Sequence, residues 1–317
     1  MNLQPIVPFE PIRKTAIPAG AGWVHQVKWD GVRILTYYDG QEVRLFNRRQ
    51  NERTDNYPEL TKINQTAKAS SLILDGEVIA LDVHGRPSFH EIMKRDSIRN
   101  PARVHLLMAA VPIDYMVFDL IYCNGHWVND RPFSERTELL KQWLPTNERI
   151  HIVPNYEDGD VLFEKIKKQH MEGIVSKRLD STYAINRKSD QWIKIKVTRD
   201  LIAVVGGVTY RGAVVNALLL GLYASGGHLV YIGHAGTGKL TGDDWLSITN
   251  FVEKLKIERR PFLNQPDRNT NAKWIEPKLT VKVAFQEWTA GHVLRQPSIQ
   301  AFVHADPKRC TIEEMDE

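Results

Sequence analysis

The sequence predicts an α+β chain of two domains: a mixed domain of antiparallel sheets with flanking helices over residues 1–198, then a small β-barrel over residues 199–317. Three observations predict it. β-rich runs recur through the first two-thirds between Gly, Asp and Asn turns, and stretches with helical apolar spacing interrupt them. After Trp192-Ile193-Lys194-Ile195-Lys196 the pattern turns to short strands with a single helix. A chain of 317 residues also exceeds one typical core, so two are expected.

In chain order, strands are expected at residues 24–28, 34–38, 42–46, 72–81 and 113–120, where β-formers cluster between turn residues. Helices are expected at 89–96, 136–144 and 160–170, the last capped by Asp158 or Asp160. The charged stretch Lys196-Val197-Thr198-Arg199-Asp200 marks the hinge. Beyond it, strands are expected at 201–210, 217–223, 229–233 and 278–288, with a helix at 243–255.

The composition is that of an ordinary globular protein, which excludes disordered and collagen-like classes. A net charge of +4 is weak support for a polyanion partner, and the basic clusters at 44–53, 165–168, 177–178, 187–188 and 194–199 are stronger, because grouped cations neutralise several phosphates at once. Cys123 and Cys310 are too few for a disulfide framework or a Cys-rich zinc site, so a reducing, cytoplasmic setting is expected. No apolar run approaches the roughly 20 residues of a membrane span, and the start, MNLQPIVPFEPIRK, lacks a signal-peptide core.

The sharpest local signal is Lys28-Trp29-Asp30-Gly31-Val32-Arg33, at the end of an apolar strand, where Gly31 permits a tight turn. A lysine of ordinary pKa, about 10.4, is protonated at neutral pH, so a nucleophilic lysine needs neighbouring cations or desolvation. On this hexapeptide alone a hairpin with exposed charges explains it equally well. Leu74-Asp75-Gly76-Glu77-Val78 and Met171-Glu172-Gly173-Ile174-Val175 each place acids at a strand end, and Mg²⁺ takes a few carboxylate oxygens alongside substrate phosphates. Singly, each reads first as a turn. Between 175 and 196, Lys177, Lys194 and Lys196 alternate with apolar residues, setting cations on one strand face and Ile193, Ile195 and Val197 on the other. Phe118 offers a flat surface for a base, or simply core.

The order KWDGVR, DGE, FD, EGIVSKR, WIKIK resembles the covalent nucleotidyltransferases, the superfamily of DNA ligases, RNA ligases and messenger-RNA capping enzymes. The likeness covers the first two-thirds, which would be the nucleotidyltransferase (adenylation) domain, and the remainder resembles an OB-fold domain. EGIVSKRLDSTYAINRKSDQWIKIK and FQEWTAGHVLRQPS resemble the ligase module of the bacterial end-joining ligase D family. That resemblance implies an ATP-dependent DNA ligase acting on nicked or broken double-stranded DNA, with Mg²⁺ or Mn²⁺. It further implies a monomer in the bacterial cytoplasm at the nucleoid, a role in non-homologous end joining, and Ku and a polymerase domain as associates. By the same resemblance Lys28 is the adenylated nucleophile, Gln26 lies near the adenine amino group, Arg33 and Arg48 contact phosphate or ribose, and Phe118 lies under the adenine. Glu77 is assigned to ribose or metal, Glu172 to metal, and Lys194 with Lys196 to the α-phosphate. The alternatives are an RNA ligase or guanylyltransferase of the same superfamily, and a DNA-end-binding module without catalysis.

Three positions depart from the family pattern. Gln26 replaces the usual Glu, though an amide oxygen still accepts a hydrogen bond. Asn47-Arg48-Arg49-Gln50 keeps the Arg of Ser-Arg-Asn-Gly but loses the Ser and Gly. In Phe302-Val303-His304-Ala305-Asp306-Pro307-Lys308, Val303 stands for an Arg associated with pyrophosphate, which predicts self-adenylation slower than joining. Gly233-His234-Ala235-Gly236-Thr237-Gly238-Lys239 spells most of a P-loop but continues with Leu240 and lacks the surrounding parallel units, so it reads as a glycine-rich turn. The acidic finish Glu313-Glu314-Met315-Asp316-Glu317 reads as a linker.

Overall fold

Alternation of apolar and polar residues builds most of the molecule. The computed structural model describes residues 3–267, 270–289 and 291–312, so Ala290 of FQEWTAGHVLRQPS and the acidic finish lie outside the described residues. The chain divides into two compact units, Met1–Val197 and Thr198–Glu317.

In the first unit the strands are β1 (Glu10–Arg13), β2 (Trp23–Lys28), β3 (Val32–Tyr38), β4 (Val43–Asn47), β5 (Leu72–Ile79), β6 (Asp114–Cys123), β7 (His126–Trp127), β8 (Ile150–Ile152), β9 (Gly173–Arg178) and β10 (Lys188–Lys196). The helices are α1 (Ile63–Thr66), α2 (Phe89–Asp96), α3 (Pro101–Leu107), α4 (Phe133–Trp143) and α5 (Gly159–Lys168). Asp158, rather than Asp160, caps α5 by accepting from the Val161 amide.

These strands form two sheets. The smaller has the order β1-β10-β9-β2, and the larger the order β4-β3-β5-β6-β7 with β8 also on β6. Pairing is antiparallel as expected except at β1 with β10 and β6 with β8. The second exception has a plain cause: the β6-to-β8 connection carries α4, and a helical crossover returns a strand parallel to its neighbour.

Each sheet has one face under helices. Ile174, Ile193 and Ile195 of the smaller sheet pack on Leu162 and Ile166 of α5. Ile34, Leu72, Leu74, Val78, Tyr115 and Val117 of the larger sheet pack with Ile92, Val104 and Leu140 from α2, α3 and α4. The inner faces meet through Phe9, Tyr37, Ile73, Ile121, Tyr183 and Trp192. At one end of this shared core the side chains change from apolar to charged.

The second unit holds β11 (Arg199–Arg211), β12 (Val214–Tyr223), β13 (Leu229–Ala235), α6 (Gly242–Val252), β14 (Lys256–Ile257), β15 (Lys273–Phe285) and β16 (Ser298–Val303). The order β13-β12-β11-β15, with β16 on β15, closes on itself because the Ile299 amide donates to the Thr237 carbonyl and Lys239 donates back to Ile299. This is the expected barrel. The glycines of the P-loop-like stretch serve that closure: a Cβ on Gly236 would lie 2.6 Å from the Asn216 carbonyl, and one on Gly238 would strike Ile299. The first turn of α6 is already satisfied by a capping box of Thr241 and Asp244, with Asp243 beside it, which disfavours an anion there. Among the described residues, no helix is long and apolar enough to cross a membrane.

Candidate active site

β2 ends at Lys28 and β3 begins at Val32, so the three residues Trp29-Asp30-Gly31 carry the chain from the smaller sheet to the larger. Gly31 is required by proximity rather than by an unusual backbone angle, since a Cβ there would collide with the Val78 carbonyl. Trp29 packs on Ile79, Met116 and Val153 and anchors the turn.

Register then decides what meets Lys28. Lys28 is opposite Gly173 and Gln26 opposite Val175 in β9, while Lys196, Lys194 and Trp192 of β10 oppose Gly173, Val175 and Lys177. Directly opposed residues share a face, so Gln26, Lys28, Lys177, Lys194 and Lys196 all point inward. Glu172 immediately precedes β9, and Gly173 holds φ +147 there, with no room for a Cβ against the Ile195 carbonyl.

The Lys28 Nζ donates to Glu172 Oε2 at 2.6 Å, and Lys196 Nζ lies 2.9 Å from Oε1. Burial disfavours the Glu172 carboxylate, but Lys28 and Lys196 outweigh it and hold it below the usual carboxylate range. Glu77, opposite Arg33 in β3, is half-buried: desolvation pushes its carboxyl up to about 8, Lys28 opposes this and Glu172 adds to it. Lys194 forms no ion pair among the described residues; burial, then Lys28, Lys196 and Lys188, lower its pKa. An ammonium pressed against other ammonium groups is a site for an anion.

Arg33, expected at phosphate or ribose, spends Nε on Asp75 at 2.9 Å and Nη2 on Asp75, the Phe9 carbonyl and Tyr183. Asp75 lies on the adjacent strand in a dry interior, so the pair forms within the fold; burial opposes the Arg33 charge, yet Asp75 and Tyr183 raise its pKa. Only Nη1 has no described bond. Arg48 is more than half exposed and lies 3.3 Å from Glu10, at the rim. Phe118 lies 5.5 Å from the Arg33 guanidinium and packs edge-on to Trp192. Gln26 is buried and bonded to Asn155. Val303 lies on β16 in the second unit, its carbonyl accepting from Thr280 Oγ1.

Lys177 differs most from its expected place. It shares the cationic face but is sealed beneath aromatic rings, 3.9 Å from Trp192, 4.5 Å from Phe118 and 4.6 Å from Phe133, and it donates to the Phe118 carbonyl at 3.1 Å. Burial pulls its ammonium down to about 7, against the pull of Asp119 and Asp75. Its folded pKa is depressed, so between pH 7 and the unfolded value the unfolded chain binds the extra proton and stability rises with pH. Relative to Lys177→Met, the wild type is expected to gain at most about 1.4 kcal/mol per pH unit between pH 7 and 10. Urea titrations of both proteins across that range check it, and a flat difference would refute it.

Two cavities lie away from these residues: one of about 820 Å³ beside Trp245 and one of about 690 Å³ beside Asp96. Among the described residues no cluster of three or more His, Cys, Asp or Glu is poised for a metal.

The chain's likeness to known proteins follows the same division. A family profile described as "ATP dependent DNA ligase domain" matches residues 7–196, and one described as "ATP dependent DNA ligase C terminal region" matches residues 211–304. The chain is 30% identical over 285 residues to the multifunctional non-homologous end joining protein LigD of Mycolicibacterium smegmatis, covering 87% of this chain and 35% of that protein. It is 27% identical over 305 residues to a DNA ligase of Thermococcus onnurineus, covering 90% of this chain and 52% of that protein. It thus spans between a third and about half of the length of these relatives. The crystal structure of the ligase domain from M. tuberculosis LigD aligns with TM-score 0.55 and 26% identity over 97% of this chain and 98% of that one. A mycobacterial DNA ligase D complexed with ATP and MES aligns with TM-score 0.55 and 27% identity, over the same shares of the two chains. With both units matched in sequence and fold, the chain belongs to the ATP-dependent DNA ligase family.

Proposed function

We propose that the chain joins a 5′-phosphate to a 3′-hydroxyl in nicked or broken duplex DNA through a covalent Lys28–AMP intermediate, in bacterial end joining. One observation carries this: the single lysine at the crossover between the sheets is held by a carboxylate that also holds Lys196, beside Lys194, which forms no ion pair among the described residues. A triphosphate entering there meets two lysines and displaces Lys28 from Glu172. Having given up its ammonium proton to solvent, the Lys28 amine then attacks the α-phosphorus, a P–N bond forms, and the P–O bond to pyrophosphate breaks. The AMP passes to the DNA 5′-phosphate, and the 3′-hydroxyl displaces it. Each step is phosphoryl transfer, for which the protein supplies alignment and charge neutralisation.

The residues present suit a divalent cation. Glu77 and Glu172 are two carboxyls close enough to raise one pKa through the other, and Mg²⁺ or Mn²⁺ needs only one or two protein carboxylates when phosphates complete its shell. Such an ion would neutralise charge developing on the phosphates. Glu172→Gln is expected to reduce metal-dependent turnover by about a hundredfold, the lower end for removing a group that stabilises transition-state charge. An unaltered Mg²⁺ dependence would remove Glu172 from this role.

Incubation with labelled ATP followed by a nicked duplex tests the reading directly, since label must enter protein and then DNA. Single-turnover rates with ATP and with a pre-adenylated nick test the consequence of Val303; faster adenylation than joining would contradict it.

A further inference from the structure

A primary amide offers an acceptor oxygen and a donor nitrogen, and which of them meets a ligand depends on how the group is held. Gln26 lies two residues before Lys28 on the same inward face and is 3% exposed. Its Nε2 donates to Asn155 Oδ1 at 2.8 Å and reaches the Val153 carbonyl at 3.5 Å. Both partners come from the segment just after β8, on the opposite sheet, where the Val153 amide donates to Val117 and its side chain shares a cluster with Phe118. A backbone carbonyl can only accept, so the nitrogen end of Gln26 is turned toward the larger sheet. Oε1 is the end with no described bond.

We propose that Asn155 is a positioning residue for base selection: by holding Gln26 Nε2 it presents Oε1 as an acceptor, which admits a purine with a 6-amino group and opposes one with a 6-oxo group. This rests on the reading that Lys28 takes its nucleotide from a triphosphate bound on this face. A carboxylate at position 26 would offer an acceptor however it turned and would need no such partner. An amide needs one, because a half-turn about its last bond would reverse the preference.

The test is the rate of covalent nucleotide transfer to the full chain from ATP and from GTP, read by intact-protein mass spectrometry and expressed as a ratio. The ratio is insensitive to the fraction of protein that is folded, because both triphosphates meet the same population. Asn155→Ala is expected to lower the ATP-over-GTP ratio about tenfold, the worth of one hydrogen bond that fixes the amide. Asn155→Asp, which can only accept, is expected to keep the wild-type ratio. In a Gln26→Glu background, Asn155→Ala is expected to leave the ratio where Gln26→Glu has set it. An Asn155→Ala protein that loses rate equally with both triphosphates overturns the proposal, as does an Asn155→Asp protein that loses the ratio. Wild type forming no adduct with either triphosphate overturns the underlying reading together with it, whereas a wild-type preference for ATP that survives Asn155→Ala overturns this inference alone.

Discussion

Lys28→Ala is expected to lower formation of the covalent protein–AMP species below detection by mass spectrometry, while sealing of a nick that already carries AMP persists. The split follows from where the proposed mechanism uses the amine: there it is the nucleophile for the α-phosphate, whereas the last displacement uses the DNA hydroxyl. Lys28→Arg should behave like the alanine variant, since a guanidinium does not lose its proton in proteins and offers no lone pair. Lys14→Ala serves as a control, because Lys14 is exposed and its ion pair among the described residues is with the exposed Asp190. An adduct of normal yield in Lys28→Ala would move the nucleophile elsewhere, with Lys194 the first place to look.

Asp119→Ala is expected to cost about 3–5 kcal/mol of folding stability, measured as a fall in the urea midpoint. Asp119 and Arg136 have no exposed side-chain surface, and they meet through two bonds of 2.8 and 2.9 Å. Arg136 also donates to the carbonyls of Arg131 and Ser181, so removing Asp119 leaves a fixed, dry guanidinium without its counter-charge. The loss would spread to the neighbouring ammonium of Lys177, whose charge Asp119 supports. Replacing the pair together, Asp119→Leu with Arg136→Met, is expected to recover much of the stability, as buried ion pairs often exchange for packed apolar groups at little cost. A single-variant loss under about 1 kcal/mol would show that water reaches the guanidinium.

Much of the grouping around Lys28 was legible because it depends on strand alternation. Once Lys28 ends one strand and Lys194 and Lys196 end another, a period of two sets them on one face, and Glu172 beside Gly173 falls at the same level. What period cannot show is which sheet lies across the gap. Lys177 reads like its exposed neighbours, yet Phe118, Phe133 and Trp192 come from three separate elements to cover it. Likewise Asp75 and Tyr183, which occupy Arg33, and Asn155, which holds Gln26, are linked only by the tertiary fold. The main strands and helices were foreseen to within a few residues. Short strands such as β8 and β16 escaped because their partners, on β6 and β15, supply the order that three to six residues lack.

The order β1-β10-β9-β2 interleaves the first strands of its unit with the last. During synthesis, the opening segment through Lys28 must therefore wait for some 150 residues before its neighbours leave the ribosome, a separation that also slows folding. A nascent or truncated chain lacking β9 and β10 has Lys28 but neither Glu172 nor Lys196 to steady it. Under the proposed mechanism, capacity for self-labelling would report on completed closure of that sheet, and an unfinished copy would stay inert toward nucleotide.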